Sequence, residues 1–259
     1  MVVGLGGYIS LPAGLTAALL RIPLVLHEQN AIAGLSNKLL ARLAQRVFSA
    51  YPKALPAALW VGNPLRAEFL QQAEPAQRFA GRSGPLRLLV VGGSLGARAL
   101  NTVVPQALAL MDPAQRPVVI HQSGEKQIEE LRSNYAAAGV QATLTPFIDN
   151  TAQAFADADL VLCRAGASTV TEIAAVGAAA VFVPFPFAVD DHQTHNARFL
   201  VDAGGGWLLP QPELTPTYLA QMLQGLSRDT LLQRAQAAKA MEKTQATAAM
   251  AAACEELAA

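Results

Sequence analysis

Leu86-Arg87-Leu88-Leu89-Val90-Val91-Gly92-Gly93-Ser94-Leu95-Gly96-Ala97 decides the fold. An apolar, β-rich run breaks into glycines and then enters a stretch, 97–111, whose apolar residues recur at helical spacing. Strand, glycine-rich turn and helix in that order are the context in which backbone amides and a helix N-terminus bind phosphate. The spacing G-G-x-x-G is not the G-x-G-x-x-G dinucleotide fingerprint. The next strand also ends His121-Gln122-Ser123, without the acidic residue that holds a ribose in a nicotinamide site. A nicotinamide oxidoreductase is therefore disfavoured.

Outward from this unit the same alternation repeats. Strands are expected at 1–3, 24–26, 46–49, 59–61, 86–91, 118–121, 142–145, 160–163, 180–183 and 207–209. Helical spacing marks 36–44, 97–111, 125–138, 168–176 and 193–202, with two further helices after Pro212. The expected class is α/β, with parallel sheets covered by helices on both faces. Gly62-Asn63-Pro64 and Gly81-Arg82-Ser83-Gly84-Pro85 bracket a polar stretch rich in breakers. The expected division is 1–62 as the back end of an N-terminal domain, 63–85 as linker, and 86–259 as a nucleotide-binding domain whose terminal helices are free to pack back on the N-terminal part.

The 259 residues are 52% hydrophobic and 15% charged, which excludes a disordered chain. Net charge is zero, but residues 1–100 carry ten Lys and Arg against three acids, and the remainder carries nine against sixteen. A basic first part suits a phosphate or an anionic membrane surface. Met1 to Leu20 is uncharged but interrupted by Gly4, Gly6, Gly7, Pro12 and Gly14, and lacks the basic start of a signal peptide. The apolar run from Ile173 to Val189 is broken by Gly177, Pro184 and Pro186. No spanning helix or export signal is expected, and Cys163 and Cys254 build no disulfide framework, so a reducing, cytoplasmic setting is expected.

Several segments could carry chemistry. Gly4-Leu5-Gly6-Gly7-Tyr8-Ile9-Ser10 is either a tight turn or a phosphate loop. His27-Glu28-Gln29-Asn30 is expected in a loop after the 24–26 strand, as ligand contact or polar loop with a buried His. Arg164-Ala165-Gly166-Ala167-Ser168-Thr169-Val170-Thr171-Glu172 opens a helix. Thr169 and Glu172 have capping-box spacing, or Glu172 accepts hydrogen bonds from a ribose over amides that bind phosphate. His192 and His195 beside Asp190 and Asp191 are spaced for a metal or for a polar loop edge. Asp157-Ala158-Asp159 has the D-x-D pattern of some metal-dependent glycosyltransferases, but precedes a strand and reads as a connection at the edge away from ligands.

Together these segments resemble the MurG family of peptidoglycan N-acetylglucosaminyltransferases, glycosyltransferase family 28, with the two-domain GT-B fold. The matching signatures are Gly4 to Ser10, His27 to Asn30 with Gly34, Gly62-Asn63-Pro64-Leu65-Arg66, Gly92 to Ala97, Phe147-Ile148-Asp149, Arg164 to Glu172, and Asp190 to Asn196. They stand in the family's order along nearly the whole chain.

The resemblance implies inverting transfer of N-acetylglucosamine from UDP-N-acetylglucosamine to the 4-hydroxyl of the muramoyl sugar of lipid I, an undecaprenyl-pyrophosphoryl-MurNAc-pentapeptide, forming lipid II. It implies a complete C-terminal Rossmann-like domain binding the donor: Ser94 near the diphosphate, Ile148 on uracil through its backbone, Ala167, Ser168, Thr169, Val170, Thr171 and Glu172 on diphosphate and ribose, with Glu172 on the ribose, and Gln193 on the transferred sugar. Asn30 and Arg66 join the donor site from the N-terminal side, and Gly6, Gly7 and Tyr8 help hold the acceptor pyrophosphate. No cofactor, tightly bound metal or nucleic acid is implied, and the partners are UDP-N-acetylglucosamine, lipid I and the anionic inner membrane, met peripherally from the cytoplasmic side. In the family another strand and a glycine-rich loop ending in His come first, roughly 100 residues in all, and that loop is the expected source of the general base. The chain therefore reads as N-terminally truncated, with His27 the remaining candidate base. The alternative is a non-catalytic UDP-sugar-binding fragment lacking the first glycine-rich loop.

Overall fold

A computed structural model describes residues 1–93 and 96–258. It contains two parallel sheets among the described residues. The first joins β1 (Val2–Gly4), β2 (Leu24–Glu28), β3 (Arg46–Ser49) and β4 (Leu59–Trp60) in chain order. The second contains β5 (Arg87–Val91), β6 (Val118–Gln122), β7 (Thr143–Thr145), β8 (Leu160–Cys163), β9 (Ala180–Phe182) and β10 (Gly206–Leu208), ordered β10-β9-β8-β5-β6-β7. That is the doubly wound arrangement, with its order reversing between β5 and β8, where Val91 pairs with Cys163.

Each expected strand is present, with ends shifted by two residues or fewer. The shift matters once: β2 runs to Glu28, so His27 and Glu28 are buried strand residues and not part of a loop. Helices α1 (Ser10–Leu19), α2 (Leu35–Leu40), α3 (Ala67–Leu70), α4 (Pro75–Phe79), α5 (Arg98–Leu110), α6 (Ile128–Ala138), α7 (Thr151–Asp157), α8 (Ala167–Val176) and α9 (His192–Val201) fill the connections. Three helices, not two, follow Pro212: α10 (Pro216–Gln224), α11 (Arg228–Lys239) and α12 (Ala246–Ala258). Ser227 caps α11 by accepting from the Thr230 amide, which separates it from α10.

Alternation along each strand sends successive side chains to opposite layers. On the first sheet Val25 and Phe48 pack with Ala246 and Ala253 of α12, whereas Leu24 and Leu26 pack with Leu40 of α2. The last helix therefore completes the core of the first sheet. On the second sheet Leu88, Val90 and Leu162 face α5, α6, α10 and α11, and Leu89, Val161 and Cys163 face α7, α8 and α9.

The 63–85 stretch is packed along much of its length. Phe69 is buried against Phe155, with ring centroids 6.2 Å apart. Arg78 donates to the carbonyls of Ala156, Val176 and Gly177, supplying donors where α7 and α8 end. The returning chain crosses the Gly62 turn so closely that a Cβ there would lie 2.4 Å from the Lys243 carbonyl oxygen, at φ +86°. Only glycine meets both demands.

Candidate functional site

Loops at the carboxyl ends of β5, β8 and β9 surround a cleft of about 370 Å³, lined by Gly92, Gly93, Gly96, Arg164, Gly166, Thr169, Phe185 and Gln193. It sits at the switch point of the strand order, where parallel sheets bind ligands. A larger hollow of about 570 Å³ lies near the opposite edge, lined by Pro85, Arg87, Val118, Ile120 and Asp157 among others. That hollow meets the C-terminal end of α7 and lies at the amino ends of β5 and β6, away from the edge where parallel sheets bind ligands.

The glycine turn is held at both ends by the strand beside it. Gln122 accepts from the Gly93 amide at 3.1 Å and donates to the Gly93 carbonyl at 3.1 Å. The Ser123 carbonyl and the Gln127 side chain lie against the Cα of Gly96. Ser94, expected beside the diphosphate, lies outside the described residues. Ile148, expected on uracil, stands in the turn between β7 and α7, its side chain against the core and its carbonyl accepting from the Thr151 hydroxyl at 3.4 Å.

Helix α8 begins at Ala167, with extended Gly166 as its N-cap and no side-chain cap. The capping-box reading of Thr169 and Glu172 is thus corrected: both lie inside the helix, because the open backbone of Gly166 starts it three residues earlier. The amides of Ala167, Ser168 and Thr169 are left without intrahelical partners at the cleft. Val170 is fully buried in the core, and the Thr171 hydroxyl bonds to the Ala167 and Ser168 carbonyls, so neither side chain faces a ligand. Glu172 is largely buried. Burial raises its pKa above the ordinary carboxylate value, and the nearby Arg66 charge pulls it back. The Arg66 guanidinium lies over the Phe69 ring at 5.0 Å.

Gln193 accepts from the amides of Phe185 at 2.9 Å and Ala165 at 3.3 Å, tying the β8 and β9 loops together at the cleft. Asp190 and Asp191 both have positive φ, 52° and 49°, and form the kink that leads into α9. His192 bonds to the Val189 carbonyl at 2.8 Å. Among the described residues no group of three or more His, Cys, Asp or Glu is placed to hold a metal.

From the first sheet, buried Glu28 accepts from the amides of Asn30 and Gly34 and from the Asn37 side chain, shaping the 29–34 turn. Asn30 meets α9 there: buried Asn196 accepts from the Ala31 amide at 2.8 Å and donates to Asn30 Oδ1 and to the Ala165 carbonyl, each at 3.2 Å. Asn63 and Tyr51 both donate to the Ala167 carbonyl. His27 is fully buried. Its Nε2 donates to the Gly62 carbonyl at 2.8 Å, its Nδ1 lies 3.4 Å from the Gln29 amide, and burial lowers its pKa. Gly6 and Gly7, both at positive φ, turn the chain beyond β1, and Tyr8 is 85% exposed. The hydroxyl of Ser10 closes that turn by donating to the Gly6 carbonyl.

The structure thus brings Thr169 and Gln193 together at one cleft, with Ala167 and Ser168 in the helix turn that opens beside it and the Arg66 charge felt by Glu172. Gln122, Asn196, Asn63 and Tyr51 were not marked as site residues in the sequence. Asn196 ends the Asp190–Asn196 signature and Asn63 sits in Gly62-Asn63-Pro64, so each stood inside a visible motif. Gln122 and Tyr51 carry no local signal.

Residues 87–253 match the glycosyltransferase family 28 C-terminal domain and residues 1–49 its N-terminal domain. A protein of a Polaromonas species is 69% identical over 258 residues, 100% of this chain and 67% of that protein. It is named UDP-N-acetylglucosamine–N-acetylmuramyl-(pentapeptide) pyrophosphoryl-undecaprenol N-acetylglucosamine transferase. The protein of that name from Paracidovorax citrulli is 68% identical, over 99% of this chain and 72% of its own length. The crystal structure of Acinetobacter baumannii MurG superposes with a TM-score of 0.89 at 41% identity, covering 98% of this chain and 73% of that one. Staphylococcus aureus MnaA, solved with UDP, shares the fold at a TM-score of 0.64 and 11% identity. With its cleft at the switch point of a doubly wound sheet and both domains matched, the chain belongs to glycosyltransferase family 28.

Proposed function

We infer that this chain transfers N-acetylglucosamine, with inversion, from UDP-N-acetylglucosamine to the 4-hydroxyl of the muramoyl sugar of undecaprenyl-pyrophosphoryl-MurNAc-pentapeptide in peptidoglycan synthesis. The observation that carries this reading is the cleft that joins the Gly92–Gly96 turn to the open N-terminus of α8. Free amides at a helix N-terminus oppose the charge that grows on the departing diphosphate, and they do so without reorganising. In the transfer, the acceptor oxygen bonds to C1 of the sugar as the bond from C1 to the diphosphate oxygen breaks, and the hydroxyl proton leaves to a base. Asn30, held by Glu28 and Asn196, faces the donor from the first domain, and Arg66 does so from the connecting segment. Val170 and Thr171 contribute helix backbone only. His27 buttresses the Gly62 turn, since its Nε2–H is spent on a carbonyl and its Nδ1 faces a donor. Gly6, Gly7 and Tyr8 serve the acceptor pyrophosphate. The test pairs calorimetry with UDP and a transfer assay with UDP-N-acetylglucosamine and a lipid I analogue. UDP binding without transfer would favour the non-catalytic reading, and failure to bind UDP would reject both.

Glu172→Ala is expected to weaken UDP binding by about 1–3 kcal/mol through loss of charged acceptors for ribose hydroxyls. Since Glu172 is not a cap, no cap-sized fall in Tm should accompany it. The carboxylate is the accepting form and burial raises its pKa, so UDP affinity should fall on acidification from a higher pH than an ordinary carboxylate would set. An affinity flat across that range would remove Glu172 from the donor site.

The lipid-linked acceptor requires work at a membrane surface, from the cytoplasmic side where the nucleotide donor is found. Among the described residues no helix is long and apolar enough to cross a bilayer. Helices α1 and α2 pack together and expose Leu15, Leu19, Leu35 and Leu39, with Arg21, Lys38 and Arg42 on the same segments. Such a mixed surface attaches peripherally, each basic residue contributing roughly 1 kcal/mol near anionic lipid. Binding to anionic vesicles should fall with added salt and be weak on neutral vesicles. Equal retention on both in high salt would reject the electrostatic contribution.

A further inference from the structure

Gln122 is 3% exposed and spends its whole amide on two turns at the carboxyl edge of the sheet, the one that lines the cleft and the one that follows β7. Its Oε1 accepts from the Gly93 amide at 3.1 Å, while its Nε2 donates to the Gly93 carbonyl at 3.1 Å and to the Pro146 carbonyl at 3.0 Å. The orientation of the amide follows from its partners: one N–H needs an acceptor and two carbonyls need donors. Gly93 belongs to the turn after β5, and Pro146 opens the turn that carries Ile148. One side chain therefore sets the distance between the turn that lines the cleft and the turn expected to meet the base.

The strand beneath is itself braced. The neighbouring His121 bonds through Nδ1 to the Tyr135 hydroxyl at 3.0 Å and through Nε2 to Asn101 Oδ1 at 3.1 Å. Asn101 donates onward to the Ser123 carbonyl at 3.3 Å and to Gln127 at 2.8 Å, the groups on which Gly96 rests. Tyr135 O–H to His121, His121 Nε2–H to Asn101, and Asn101 N–H to Ser123 form a consistent chain of donors. Burial drives the His121 pKa down to about 3, which keeps the ring in the neutral form this chain requires. A fully satisfied buried network of this kind gives the strand end a single geometry.

We propose that Gln122 is a positioning residue that locks the diphosphate-side turn at Gly93 to the uracil-side turn at Pro146, so that phosphate and base are read at one fixed spacing. The proposal rests on the donor-binding reading above, and no ligand contact is assigned to Gln122 itself. Gln122→Met keeps the volume and removes all three bonds. Gln122→Glu keeps the shape and sets an oxygen against two carbonyl oxygens.

The test is calorimetry of the full chain with UDP and with CDP, well below each variant's Tm. Both variants are expected to bind UDP about tenfold more weakly and CDP about threefold more weakly, so the preference for uracil falls. A lowered Tm with unchanged UDP affinity and unchanged UDP-to-CDP preference would overturn the proposal and leave Gln122 a packing residue. If the parent chain binds no UDP, the donor reading is what fails. The clamp is then judged by amide hydrogen exchange at Gly93, expected to be at least about tenfold faster in Gln122→Met. Equal exchange rates would overturn it.

Discussion

Gly96→Ala should lose about 3 kcal/mol of UDP affinity, roughly a hundredfold. A Cβ on Gly96 would stand 2.2 Å from the Ser123 carbonyl oxygen and 2.6 Å from Gln127 Nε2, at φ +76°. The Ser123 backbone cannot give way easily. Its amide donates to the Thr145 carbonyl at 3.0 Å, and its carbonyl accepts from buried Asn101. The glycine turn must move instead, and it forms one wall of the cleft. Gly139→Ala, at the end of α6 and away from the cleft, is the matched control for backbone strain, since its Cβ meets nothing within 4 Å despite a φ of +64°. It should cost only about 1–2 kcal/mol of stability from the left-handed backbone. Calorimetry with UDP and a thermal melt separate the two effects. Gly96→Ala binding UDP within threefold of the parent would show that the turn does not shape the donor site.

The second large effect falls on stability and spares the cleft. Asp159 is buried at the amino end of β8, about 13 Å of strand away from the loops that bind ligands. It accepts from Arg82 at 2.7 Å, from Arg228 at 3.2 Å and from the Arg87 amide at 2.9 Å, joining the 63–85 segment, α11 and β5. Asp159→Ala leaves two largely buried guanidinium groups without their counter-charge. The expected cost is about 3–5 kcal/mol, or on the order of 10 °C in Tm. UDP affinity of the folded fraction should not change. A metal-binding role for Asp157-Ala158-Asp159 predicts the reverse pattern, with affinity lost and Tm kept, so the two measurements together discriminate.

Much of this molecule was legible as a string of residues because the signals are local. Leu86 to Ala97 announces strand, turn and helix through periodicity and glycine placement, and β5 and α5 follow it closely. Gly166 and the residues after it likewise mark a helix N-terminus. The same local reading placed that helix to within one residue but left open whether Thr169 and Glu172 cap it. Thr169 and Glu172 have the spacing of a cap, but spacing cannot tell a first turn from a second one. The difference lies in whether Gly166 or Thr169 leaves the helical backbone. His27 and Glu28 were expected beyond a strand that in fact contains them, because polar residues inside a strand look like its end until their burial partners, the Gly62 carbonyl and Asn37, are in place.

The alternation of strands and helices, the class of fold, the glycine turns and the membership in glycosyltransferase family 28 were all determined by sequence alone, since steric limits on the backbone and the burial of periodic apolar faces act within a dozen residues. Tertiary structure alone decided the rest. It set the strand order that puts the β5 and β8 loops side by side, and it brought Asn196 to Asn30 across 166 positions of chain. It turned α12 back onto the first sheet, and it made Gln122 the link between the glycine turn of the cleft and the turn after β7. Each of these joins groups far apart in sequence. Their pairing is fixed by which buried donors and acceptors the packed layers leave for one another, and no short stretch of residues contains that information.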